Sequence, residues 1–112
     1  MSLTQGTYLK VATEFSETPG PRSREEGEFS GEQFLEDVLA PKFERARRDR
    51  ATLTVDLDGT EGYATSFLEA AFGGLARQYS EKEVLETVHL KSEDEPYLAD
   101  EIRRYITEAN RK

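Results

Sequence analysis

A chain of 112 residues, 36% of them hydrophobic and with a net charge of −8, has the size of one domain around a single core. The charge argues against non-specific binding to nucleic acid or an anionic membrane surface and makes a basic partner electrostatically easier. The sequence has no cysteine, which excludes disulfides, thiol catalysis and cysteine-ligated metals.

No apolar run approaches the roughly 20 residues that a bilayer span needs. The opening MSLTQGTYLK lacks the basic and apolar regions of a secretory leader. The expectation is a cytoplasmic protein forming one domain over 1–112, with an ordered core over 7–110.

Thr7 to Phe15 (TYLKVATEF) alternates, with Leu9, Val11, Thr13 and Phe15 on one side, the pattern of a half-buried strand. Residues 16–28 carry two prolines, two glycines and mixed charge and read as a loop. A loop of that length in a compact domain is often functional, and Arg22 and Arg24 within it are candidates for a phosphate or an acidic partner.

A helix start follows. Ser30 is the candidate N-cap, Gln33 completes a capping box, and Phe29 and Phe34 occupy the staple positions. Phe34, Leu35, Val38, Leu39, Phe43 and Ala46 share one face, and Pro41 should kink or split the helix. Its tail gathers Lys42, Arg45, Arg47, Arg48 and Arg50, which complement the C-terminal dipole.

Ala51 to Asp58 is the best-patterned strand. Leu53, Val55 and Leu57 face one way, and Thr52, Thr54, Asp56 and Asp58 the other, which predicts a sheet with one polar, wet face. Asp58-Gly59 supplies a turn. A second helix over Ser66 to Tyr79 has Ser66 and Glu69 as a capping box and Leu68, Ala71, Phe72, Leu75 and Tyr79 as its apolar stripe.

Val84 to Leu90 reads as a strand with Val88 and Leu90 inward and His89 outward. The last helix follows Ser92 or Asp94, with Pro96 in its first turn and Leu98, Ile102, Tyr105, Ile106 and Ala109 on its buried side. The order of elements gives an α/β domain, a small mixed β-sheet with helices packed mainly on one face. There is no internal repeat.

Few residues carry recognisable chemistry. His89 is the sole histidine, so neither a zinc cluster nor a catalytic triad is expected. Gly73-Gly74 lies within a helix and is not followed by GKS or GKT, so no nucleotide loop, metal or other cofactor is expected. With Ala70 and Ala71, the two glycines give a smooth surface for close approach, either by the protein's own sheet or by a partner.

DLDGT, Asp56 to Thr60, resembles the first motif of the haloacid dehalogenase-type phosphatases. That resemblance implies Asp56 as nucleophile, Asp58 as acid–base and Mg²⁺ on the phosphate. Thr52 and Thr54 interrupt the doubly buried strand such a site uses, and SEDE (Ser92 to Glu95) reads more simply as an acidic first turn.

A longer resemblance covers most of the chain. LTVDLDGTEGYATSFLEAAFGGLA follows the outline of the STAS group (sulfate transporters and anti-sigma-factor antagonists): a strand, a short loop, then a serine or threonine pair opening a helix. FSGEQF, the Pro41 helix, VDLDGTEGYATSFLEAAFGGL and VHLKS resemble, in order and spacing, the STAS-like domain family of unknown function. The resemblance implies a STAS-like fold and a non-catalytic regulatory role. It puts Ser66 at the acceptor position of the phosphorylated members, with Thr65 just before it.

It also implies a docking surface over Gly62, Tyr63, Ala64 and Ser66 and along the helix through Ala70, Gly73 and Gly74. The implied partner is a protein of the GHKL-type ATPase or kinase class, which would itself bind the nucleotide. An edge strand leaves room for a second copy as well, giving a homodimer.

Overall fold

The structure, a computed structural model, describes residues 6–110; the opening residues 1–5, part of the segment read above for a leader, lie outside the described residues. Three strands form a parallel sheet in the order β1-β2-β3: β1 is Thr7–Lys10, β2 Leu53–Asp56 and β3 Val88–Lys91. The α/β architecture agrees with the expectation, but all the described strand pairs are parallel, so the sheet is not mixed.

Each strand is shorter than its pattern. Alternation in TYLKVATEF gives way after Lys10 to a helical turn, Val11–Glu14, which still buries Val11. The segment from Val84 begins as helix: Glu81–Thr87 is helical, capped by Ser80 accepting the Glu83 N–H at 3.0 Å, and runs directly into β3. Both errors have one cause. A four-residue alternating run is also compatible with one helical turn, and only pairing with β2 decides where strand ends.

The first long helix, α1, covers residues 31–48. Ser30, fully buried, accepts the Gln33 N–H at 3.0 Å, as expected of the cap. Gln33 reaches back to the N–H of Phe29 rather than Ser30. Phe15 packs against both staple residues, Phe29 and Phe34, at ring-centroid distances of 5.6 and 5.1 Å.

Pro41 does not break α1. The turn before it, Leu35–Leu39, widens to π geometry, with Ala40 N–H donating to the Leu35 carbonyl five residues back, so the ladder slips before the residue that lacks a donor. The second long helix, α2, covers residues 65–78 and contains its own π turn, Glu69–Gly73. Two helices complete the fold, α3 Glu81–Thr87 and α4 Tyr97–Glu108.

A strand order of 1-2-3 with right-handed crossovers steps the same way across the sheet twice, which puts both connections on one face. There Leu9, Leu53, Val55, Val88 and the partly buried Leu90 meet Phe34, Phe43, Phe67, Phe72, Leu75, Ile102 and Ile106 in one core. The register puts Tyr8, Thr54 and His89 in one row and Lys10, Asp56 and Lys91 in the next on the opposite face. His89 is exposed there, as expected.

Candidate functional site

Asp56 lies on the middle strand of the polar face, yet it is only 3% exposed. Its cover comes from its neighbours in the sheet. Tyr8 donates its hydroxyl to Oδ2, and the ammonium groups of Lys10 and Lys91 approach the same oxygen from the two flanking strands at 3.5 and 3.9 Å. Oδ1 accepts the Asp58 N–H at 3.0 Å. Burial pushes the Asp56 carboxyl up, but the Tyr8 hydroxyl, the Asp58 amide and the two lysines outweigh it and hold the group below its ordinary value.

Asp58 is equally committed. Its Oδ1 accepts the N–H groups of Glu93 and Asp94, both at 2.8 Å, and Oδ2 pairs with Lys91 at 3.2 Å. Burial raises its pKa and these donors lower it, with a net depression. The side chain of Asp94 returns the bond, accepting the Gly59 N–H at 3.1 Å. Both carboxylates of DLDGT are thus tied to donors of the flanking strands and of the loop after β3. Among the described residues no three Asp, Glu or His side chains converge as metal ligands.

The loop that follows is braced internally. Gly59 and Gly62 both take positive φ, 92° and 134°, as its turns require. Tyr63 donates its hydroxyl to the Leu57 carbonyl at 2.8 Å, and its ring packs on Phe67. A cleft of about 220 Å³ lies between this loop and the one after β3, lined by Leu57, Glu61, Ser92, Asp94, Glu95 and Leu98 among others.

Ser66 does not cap α2. Ala64 holds the N-cap position, without a side-chain bond, so Thr65 and Ser66 are the first two residues of the helix. Thr65 is exposed and Ser66 half-buried. The capping box read from Ser66 and Glu69 is absent because Glu69 has other partners: its carboxylate sits between Arg22 at 2.6 Å and Arg77 at 2.8 Å. Arg77, with Arg22 helping against burial, holds Glu69 below the ordinary carboxylate range.

Two of the small residues of α2, Ala70 and Gly74, serve the crossing with α1. A Cβ on Gly31 would lie 2.5 Å from the Phe67 carbonyl oxygen, and one on Gly74 would lie 2.7 Å from a Leu35 methyl. Gly73 is buried, which takes it out of the docking surface expected from the sequence. Ala70 and Gly74 remain half-buried and line a shallow groove of about 370 Å³ with Arg22, Leu35 and Arg77.

The family model for a STAS-like domain of unknown function (DUF4325) matches residues 30–98, from the α1 cap to the first turn of α4. The chain belongs to the STAS-like domain family. The matched stretch of this STAS-like domain holds Asp56, Asp58, Thr65, Ser66 and Lys91, whereas Tyr8 and Lys10 precede it. No curated protein and no solved structure gives a significant match. No helix among the described residues is long and apolar enough to cross a membrane.

Sequence reading found Asp56 and Asp58 but missed Tyr8, Lys10, Lys91 and Asp94, which engage them. A signal did exist: TYLK and VHLK each end in lysine, and parallel pairing in register with LTVD puts both lysines beside Asp56. Arg22, read in the loop as a candidate for a phosphate or an acidic partner, pairs with Glu69 of the same chain.

Proposed function

We propose that this STAS-like domain is a non-catalytic regulatory module that docks a protein partner at the start of α2. The docking surface runs from Gly62, Tyr63 and Ala64 over Thr65 and Ser66, and continues to Ala70 and Gly74 at the groove. The observation that carries this reading is the pair of hydroxyls in the first turn of α2, which lie at or near the surface and do not cap the helix. Capping alone therefore does not account for a serine at this position.

The helix start favours an added phosphate through its free N–H groups, and a phosphate would add about −1.5 to −2 charges to the docking surface. Ser66 is the preferred acceptor and Thr65 the second. The partner class is the one implied by likeness to the anti-sigma-factor antagonists, a GHKL-type ATPase or kinase that supplies its own nucleotide. The phosphatase alternative is disfavoured by the engagement of Asp56 and Asp58 on all sides.

The test is capture of partners from source-cell lysate by wild type and by Ser66→Asp, with bound proteins identified by mass spectrometry. An acidic residue in the first turn suits the helix dipole, so the variant should stay folded. A partner held by wild type and released by Ser66→Asp supports the switch. Retention of the same partner on both proteins removes Ser66 from the mechanism, and no specific partner on either removes the docking reading.

A further inference from the structure

The loop after β2 and the loop after β3 are tied together by two aspartates acting in opposite directions. Asp58, in the first loop, accepts the N–H groups of Glu93 and Asp94 from the second. Asp94, in the second, accepts the N–H of Gly59 from the first. Lys91 closes the same circuit by pairing with Asp58. Neither loop can shift without stretching charge-assisted bonds to the other.

Each half is stiff beyond the contact. On the β2 side, Tyr63 is fixed to the Leu57 carbonyl, the Gly62 N–H donates to Thr60 Oγ1 at 3.3 Å, and the Glu61 N–H donates to the Glu17 carbonyl at 2.8 Å. Ala64, Thr65 and Ser66 follow at once. On the β3 side, Ser92 Oγ donates to the Glu95 carbonyl at 2.7 Å, and the same carbonyl accepts the Leu98 N–H of α4 at 3.0 Å.

We infer that Asp58 and Asp94 form a two-way latch coupling the start of α2 to the entry of α4, so that a displacement of one loop moves the other. For the docking loop, whose role rests on the reading above, this makes the surface after β3 a second point at which binding at Thr65 and Ser66 is sensed or controlled. The coupling itself is a property of the folded chain and needs no partner, so its failure is separate from failure of the docking reading.

Per-residue amide exchange and chemical shifts on wild type, Asp94→Ala and Asp94→Asn test it. Asp94→Ala should speed exchange about tenfold at Gly59, where the acceptor is lost directly. It should also speed exchange at Glu61 and Gly62 and move the amide resonances of Thr65 and Ser66, while Val55, Ile102 and Ile106 keep wild-type protection. Asp94→Asn retains a carbonyl acceptor and should restore most of the wild-type pattern. Changes confined to Gly59 and residues 93–98 would overturn the coupling. So would equal acceleration at Val55, Ile102 and Ile106, since Asp94 would then support the fold as a whole.

Discussion

Tyr8 and Asp56, 48 positions apart in the chain, are joined by a hydrogen bond from the tyrosine hydroxyl to the carboxylate on the polar face of the sheet. All-parallel sheets are ordinarily covered on both faces. Here, around Asp56, the second face is covered by Tyr8, Lys10 and Lys91, side chains of the sheet itself.

Asp56→Asn should therefore destabilise the protein by about 2 kcal/mol at neutral pH, as expected for loss of hydrogen bonds to a charged, buried acceptor. The pKa of Asp56 is depressed in the folded protein, so its contribution is present above the unfolded value and is lost as pH falls through that value towards the folded one. The gap in urea midpoint between wild type and Asp56→Asn should hold from pH 7 down to about 4 and narrow below it. In the same preparations Asp56→Asn should alter no Mg²⁺-dependent hydrolysis of p-nitrophenyl phosphate; an activity lost with this substitution would revive the nucleophile reading.

The two glycines at the α1–α2 crossing should respond differently to alanine. A methyl on Gly31 meets the Phe67 backbone carbonyl, which cannot yield without moving α2, so Gly31→Ala should cost about 1–3 kcal/mol. On Gly74 the obstacle is a terminal methyl of Leu35, which can rotate away, and alanine gains about 1 kcal/mol of helix propensity. Gly74→Ala should be close to neutral. Thermal unfolding of the two variants reads the contrast directly, and equal losses would contradict it.

The two serines at helix starts should separate as well. Ser30 is buried and holds the Gln33 N–H, so Ser30→Ala should cost about 1–2 kcal/mol. Ser66 is inside α2 rather than at its cap, and Ser66→Ala should stay within about 0.5 kcal/mol of wild type. A large loss at Ser66 in chemical denaturation would return it to a structural role.

Much of the fold was legible because it is written locally. The cap at Ser30, the facing of Leu53 and Val55 against Thr54 and Asp56, and the apolar spacing of Leu98, Ile102 and Ile106 each need only a few consecutive residues, and the structure has all three. The family resemblance was legible for the same reason, as the order of such segments. The cap of α2 was misread because Ser66 and Glu69 have the right spacing for a box. Arg22 and Arg77, 47 and 8 positions from Glu69, compete successfully for that carboxylate.

What the sequence by itself determined is the α/β class, the succession of three strands and three longer helices, the inward face of each strand and the presence of two aspartates and two hydroxyls within one short segment. Only tertiary structure decided what those groups do. Parallel register brings Tyr8, Lys10 and Lys91 to Asp56, and the meeting of two strand-end loops brings Asp94 to Gly59 and the Glu93 and Asp94 amides to Asp58. An unpaired carboxylate is costly to bury and gains most from donors that other strands supply, and such donors are identified by position in space rather than by distance along the chain.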